Sequence, residues 1–290
     1  MNRLIKMFGF VAVFAIAPLL LAQWPAFQTK GVPRTPSGQP DLTAPAPRTP
    51  DGKPDFTGIW DNGRNTNPPR GGGRGARGAD FNAAPAAAAP APANAGPPSA
   101  TFFNVGAGFS GGLPFQPWAA DLVKKRMADN SKDNPDAHCL PMGFMQFHTH
   151  SQPRKIIQTR DVILIIYEAN SGLRQIFIDG RTLPGKDAEP WWYGYSVGKW
   201  EGDTLVVETV GHIDNIWLDV RGSPLTSAGK VTERFRRPNY GTLEIDVTID
   251  DPRAYTRPWT VKVNQRIYPD TELIEFICED RDATHYVGAQ

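Results

Sequence analysis

Thr242-Leu-Glu-Ile-Asp-Val-Thr-Ile-Asp250 puts Leu243, Ile245, Val247 and Ile249 on one side of an extended chain, and Glu244, Asp246, Thr248 and Asp250 on the other. Side chains alternate between the faces of a strand, so this is a strand with one dry face and one wet face. Its surroundings read alike. Residues 231–237 precede it across Pro238-Asn-Tyr-Gly241, and residues 259–268 follow it, joined by Pro269-Asp270 to residues 272–278. Upstream, residues 156–159, 162–168, 173–179, 195–200 and 204–210 are rich in β-branched and aromatic side chains, with Asn170-Ser-Gly172 and Glu201-Gly202-Asp203 as turns. Short links between successive strands imply antiparallel neighbours. With residues 56–60 as a first strand, the expectation is an all-β antiparallel meander of about ten strands, closing into a barrel or, alternatively, packing as a sandwich.

Two strands carry charge on an apolar face. Val231, Glu233, Phe235 and Arg237 share one side of their strand, opposite Thr232, Arg234 and Arg236. Leu273, Glu275 and Ile277 oppose Ile274, Phe276 and Cys278. Such a charge is either an outward exception or a polar anchor inside a cavity.

At the N-terminus, Arg3 and Lys6 precede an apolar run from Met7 to Leu21, with small Ala22 before Gln23. The run is about 15 residues, short of the roughly 20 that cross a bilayer, and its order of charge, apolar core and small residue is that of a signal peptide. Residues 1–22 are therefore expected to be removed on export to the periplasm or beyond, leaving no membrane span. With 31 basic and 30 acidic side chains the net charge is +1, which argues against nucleic acid as a partner. In an oxidising compartment the two cysteines, Cys139 and Cys278, are expected to pair, closing a loop of about 140 residues that the chain-entropy model values at roughly 4–5 kcal/mol.

Residues 23–53 form a Pro-rich lead-in containing a repeat: Arg34-Thr-Pro-Ser-Gly-Gln-Pro-Asp, then Arg48-Thr-Pro-Asp-Gly-Lys-Pro-Asp. Two copies are too few for a solenoid. After a first strand at 54–62, residues 63–113 read as a low-complexity, disordered insertion with an Arg/Gly patch and an Ala/Pro tract. The single β domain then occupies 114–290. It opens on the one clear helix, at about 116–128, where Pro117 suits a first turn and Trp118, Ala119, Leu122, Val123 and Met127 follow helical spacing.

Six runs carry a likeness: Pro54-Asp-Phe-Thr-Gly-Ile-Trp60, Pro114-Phe-Gln-Pro-Trp-Ala119, Gly198-Lys-Trp-Glu-Gly-Asp-Thr-Leu-Val-Val-Glu-Thr209, Trp217-Leu-Asp219, Thr232-Glu-Arg-Phe-Arg-Arg-Pro238 and Thr248-Ile-Asp-Asp-Pro-Arg-Ala-Tyr-Thr-Arg-Pro-Trp259. Together they resemble a family of uncharacterised exported proteins of acidobacteria and proteobacteria, a likeness that brings no catalytic residues. The chain departs from that pattern at Phe144-Met-Gln-Phe-His-Thr-His150, where a proline-and-arginine stretch is usual, and at His212-Ile213, where an aromatic-Asn pair is usual. A weaker resemblance is to lipocalin-like barrels, whose Gly-x-Trp signature is similar to Gly58-Ile-Trp60. That resemblance implies a late arginine over Trp60, with Arg234 or Arg236 as candidates.

Chemistry-bearing clusters are sparse. His148 and His150 would share a face if extended and could begin a metal site, but no third ligand is identifiable, so none is favoured. There is no Gly-x-Ser-x-Gly elbow and no phosphate loop before a helix, so no cofactor is expected. Eight tryptophans are many for this length, and Trp191, Trp192, Tyr193 and Tyr195 cluster. Aromatics at this density line an apolar pocket, the rim of a sugar or aryl site, or a barrel core. The leading expectation is a periplasmic barrel that binds a small apolar or aromatic ligand. Trp200, Trp217, Trp192 and Tyr195 would form its walls, and Arg234, Glu233 and Glu275 its polar anchors. Two alternatives are an acid–base enzyme using Asp214, His212 or Glu233, and an envelope docking protein.

Overall fold

The computed structural model describes residues 28–63, 96–185 and 187–276. In chain order it contains β1 (Gly58–Asp61), α1 (Pro117–Ala128), α2 (Phe144–Thr149), β2 (Arg154–Gln158), β3 (Val162–Tyr167), β4 (Leu173–Phe177) and β5 (Tyr195–Glu201). There follow β6 (Thr204–Val210), β7 (Ile216–Trp217), β8 (Pro224–Leu225), β9 (Lys230–Asn239), β10 (Thr242–Asp250) and β11 (Trp259–Ile267). Nine of these strands close into a barrel in the order β1-β11-β10-β9-β6-β5-β4-β3-β2, while β7 and β8 form a separate ribbon. The alternation along residues 242–250 holds: Leu243, Ile245, Val247 and Ile249 are fully buried inside. Each such side chain contributes roughly 1.5–3 kcal/mol by leaving water, and their burial favours closure.

Three strand expectations need correction. Residues 272–276 form no strand, and the expected remainder, 277–278, lies outside the described residues. The sequence pattern implies a late strand there, but β11 finds its second neighbour in β1, which leaves no edge for another strand. The pairing is also not antiparallel throughout. After Phe177 the chain makes a long excursion and returns as β5 parallel to β4, with Ile176 opposite Ser196 and Phe177 opposite Val197 as the paired residues. Finally, residues 98–100, expected within the low-complexity insertion, run beside β11 with Ala100 N–H donating to the Lys262 carbonyl. Val105 and Leu113 from the same stretch are core residues, whereas 64–95 lie outside the described residues.

The two lead-in repeats are two copies of one clasp. In each, the arginine pairs with the second proline (Arg34 with Pro40, Arg48 with Pro54) and donates to a glycine carbonyl, Gly38 or Gly52. Each guanidinium then grips a turn aspartate at the same barrel end: Arg34 holds Asp270 at 2.7 Å, and Arg48 holds Asp203 at 2.6 Å. The strap also accepts hydrogen bonds from the β9–β10 turn, the Tyr240 and Gly241 N–H groups donating to its Ala44 and Leu42 carbonyls. Both members of the Arg48 clasp are more than half exposed, so water competes for them. Arg48→Ala is expected to lower unfolding stability by less than about 1 kcal/mol in a urea titration. A larger loss would mean that the strap, rather than the ion pair, is being released.

Trp60 is fully buried under Arg237, whose guanidinium carbon lies 4.8 Å from the ring centre. The covering arginine is thus neither Arg234 nor Arg236. Strand period decides this: residues 231, 233, 235 and 237 point inward, while Arg234 and Arg236 point out to Glu201 and Asp246. The opposite barrel end is plugged by α2, all six of whose residues are buried. The helix α1 has Pro117 in its first turn as expected, but buries only Ala119 and Val123 and leaves Trp118 44% exposed. Among the described residues, no helix is long and apolar enough to cross a membrane.

Candidate functional site

Arg174 shares the inward face of β4 with Ile176, a charge on an apolar strand face. Inside the barrel it meets Glu233, which projects from β9 between Val207 and Val247 of the neighbouring strands. The guanidinium Nη1 donates to Glu233 Oε1 at 3.0 Å and Nη2 donates to Oε2. Its remaining N–H groups reach Ser196 Oγ (3.1 Å) and Thr209 Oγ1 (3.0 Å). His148, on the plugging helix, completes the group with Nε2 at 2.8 Å from Glu233 Oε1. The three ionisable members are at most 1% exposed.

Electrostatics fixes the protonation pattern. Burial acts to raise the Glu233 pKa, but the Arg174 charge and the hydrogen bonds from His148 and Arg174 outweigh it and hold the carboxyl at about 2. Burial lowers the His148 pKa, and the nearby Arg174 and Arg154 charges add to that against the pull of Glu233. The imidazole is therefore neutral and its contact with Glu233 is not an ion pair. An ionised carboxylate only accepts, so Nε2 carries the proton and Nδ1 the lone pair. That Nδ1, like both nitrogens of His212, has no partner among the described residues. Arg154 ties this helix down from below, donating Nη1 to the His148 carbonyl at 2.8 Å.

A cleft opens onto this group. The β4–β5 pairing begins only at Ile176, so the first half of β4 has no partner on that side and the chain before β5 folds back across the gap. The result is a cleft of about 320 Å³ lined by aromatic residues Phe177, Trp191, Trp192, Tyr193 and Tyr195, with Leu173 at the rim and Arg174 and Ser196 at the floor. Gly194 makes the fold-back possible: its φ is +67°, and a Cβ there would lie 2.6 Å from His212 Cε1. The walls are braced. Phe177 and Tyr195 rings stack at 5.1 Å, and Arg181 lies 3.7 Å above Phe177 while donating to the Tyr195 hydroxyl at 3.0 Å.

Of the expected wall residues, the structure brings Trp192 and Tyr195 into this cleft and leaves the others elsewhere. Trp200 packs 5.5 Å from Phe56 at the strapped end. Trp217, in the β7–β8 ribbon, lies under Arg126, whose guanidinium carbon is 4.2 Å from its ring centre. Among the expected anchors, Glu233 is central and buried. Arg234 is half-buried on the outer face and paired with Glu201 at 3.0 Å, and Glu275 is exposed outside any strand. The proposed acid–base trio does not converge: Asp214 is exposed beside Arg253, while His212 and Glu233 are buried and line neither described pocket. His148 and His150 do not share a face, because the segment is helical and His150 lies at its end, its Nδ1 accepting the Gln152 N–H at 3.0 Å. No cluster of three metal-ligating side chains occurs among the described residues.

The residues that sequence reading missed are Arg174, Ser196, Thr209 and Arg154. The signal for the arginines was present: each sits two residues from a core isoleucine of its own strand, Ile176 or Ile156, and therefore on its inward face. Ser196 and Thr209 become meaningful only through the β5–β6 register that pairs them. No protein-family model, curated protein or solved structure significantly matches this chain.

Proposed function

We propose that the chain is exported and that its barrel binds a small apolar or aromatic molecule in the cleft between β4 and β5. The aromatic lining of that cleft carries the reading. Five aromatic side chains converge on one gap in the barrel wall, and its volume of about 320 Å³ suits a ligand of one or two rings. The floor favours a neutral ligand, since the charge of Arg174 is already matched by Glu233 and its donors are engaged. Export is supported by the N-terminal pattern read above, although residues 1–27 lie outside the described part. The Cys139–Cys278 pairing belongs to the same reading. The last described residue, Phe276, accepts from Ser171 Oγ at 3.2 Å, and the adjacent Asn170 donates to the Leu140 carbonyl beside Cys139 at 3.3 Å.

Native mass spectrometry of protein taken from its host envelope tests the whole reading. The expected polypeptide begins at Gln23, lacks two hydrogens relative to the reduced chain, and carries a releasable organic molecule. A mass that retains residues 1–22 would refute cleavage, and labelling of both thiols without reduction would refute the disulfide. For the cleft itself, indole is the probe. Saturable binding by calorimetry is expected to weaken at least about tenfold in Trp192→Ala, since buried tryptophans dominate such sites, and to be unchanged in Trp200→Ala. Equal loss in both variants, or no saturable binding of indole with nothing released from native protein, overturns the cleft as a ligand site.

A further inference from the structure

A second pocket, of about 380 Å³, is assembled from segments distant in sequence and is lined by Trp118, Asp214, Asn215, Thr226 and Arg253. Trp118 comes from α1, Asp214 and Asn215 from the link between β6 and β7, and Arg253 from the link between β10 and β11. Helical spacing would have put Trp118 with the buried side of α1. Instead its ring is 44% exposed, and its indole N–H donates to the Arg253 carbonyl at 2.7 Å. That bond holds one edge of the ring and leaves a fixed apolar surface open to water. A loose surface side chain would not need such an anchor.

Around this plate stand three polar groups. Asp214 Oδ1 accepts the Ser227 N–H at 2.9 Å and lies 3.4 Å from Arg253 Nη1, yet both side chains remain more than half exposed. Asn215 is exposed at a left-handed φ of 65°, and its amide makes no hydrogen bond to another described residue. Thr226 is spent, its hydroxyl donating to Asp251 at 3.0 Å. The pocket thus offers a carboxylate, a guanidinium and a free amide beside a rigid indole, with the two charges cancelling.

Each simple ligand class meets an obstacle except one. A carboxylate or phosphate would face Asp214, and a cation would face Arg253. A plain aryl group would cover the indole but strip water from three polar groups without replacing their hydrogen bonds. A pyranose has one C–H face for the indole and a rim of hydroxyls that both donate and accept. We propose that this pocket is a saccharide-binding site, with a neutral sugar stacked on Trp118 and its hydroxyls held by Asp214, Asn215 and Arg253. The site is separate from the aromatic cleft and does not depend on it.

The test is a titration of the ¹⁵N-labelled mature protein with glucose, galactose, mannose, maltose and cellobiose, read on the indole N–H signals. For at least one sugar a saturable shift of the Trp118 signal is expected, with a dissociation constant on the order of 1 mM, the range of a single shallow site. Trp118→Ala should remove the binding seen at other nearby amides. Asn215→Gly tolerates the same backbone angle and deletes only the amide, and should weaken binding about fivefold, the value of one net hydrogen bond. Trp192→Ala should change nothing. The circular dichroism of each variant, expected to match the parent, guards against misfolding. No saturable shift with any of the five sugars, shifts that persist in Trp118→Ala, or an equal response to indole at this pocket would overturn the assignment.

Discussion

Arg174→Met is expected to lower unfolding stability by about 3–5 kcal/mol, the usual result of removing one partner from a buried ion pair. The reason is what it leaves behind. Glu233 is fully buried and accepts from Arg174 through both oxygens. Without the guanidinium its charge has only the neutral His148 as a donor, and Ser196 and Thr209 lose their ligand as well. The variant also loses the contact of Arg174 over the Phe144 ring, at 4.8 Å. Part of the loss can be recovered by protonation, because the carboxyl pKa rises once the positive charge that holds it at about 2 is gone. The variant should therefore be least destabilised at acid pH relative to its parent.

A double variant, Arg174→Met with Glu233→Leu, separates charge from shape. If the single variant fails because an unpaired carboxylate is stranded, the double should be more stable than the single, since apolar replacement of a whole buried pair is often neutral or stabilising. Urea unfolding at pH 7.5 decides it, with the slope checked for constancy so that a change in midpoint is a change in stability. A single variant within about 1 kcal/mol of the parent would mean that water already reaches this pair from the cleft. In that case the floor of the cleft is hydrated, and the neutral-ligand preference argued from it falls too.

The barrel was legible because strands announce themselves by period, and β10 does so without interruption. On β9 the charges were visible beside apolar neighbours, Glu233 between Val231 and Phe235 and Arg237 two residues further on, but which face turned inward was settled only by closure of the barrel. What could not be read was which inward charge met which. Arg174 and Glu233 lie 59 residues apart and become neighbours only through ring closure and the parallel join of β4 to β5. That join also creates the cleft, so the aromatic cluster at 191–195 was visible in sequence while the gap it surrounds was not. The helix α2 was missed for a similar reason. It is six residues long, shorter than helical periodicity can reveal, and its apolar residues are set by the barrel mouth it closes. With this segment helical, His148 and His150 lose the shared face that only an extended chain would give them.

His212→Phe is expected to flatten the acid side of the stability profile. The His212 ring is fully buried, stacks 5.8 Å from Phe144, and has neither nitrogen partnered among the described residues. It packs as an aromatic plug. Burial, reinforced by the nearby Arg174 charge, lowers its pKa to about 4. In the unfolded chain a histidine takes up its proton near pH 6.5, so between these values the unfolded state binds the extra proton. Stability must then fall as pH drops from 6.5 towards 4 and is intact above that window. A shift of this size corresponds to about 3 kcal/mol, an order-of-magnitude figure. Glu233 acts in the same direction but lower, losing its contribution only as pH falls from 4.5 to about 2. His148 shares the upper window, since its pKa is also lowered, so His212→Phe should reduce the loss between pH 7.5 and 5 without abolishing it. Phenylalanine keeps the ring and deletes two nitrogens that lack partners, and at pH 7.5 the variant should be at least as stable as the parent to within about 1 kcal/mol. Urea midpoints at the two pH values give the answer. The same pH slope in parent and variant would show that His212 is charged or hydrated where it sits, and that the interior behind Gly194 is wet.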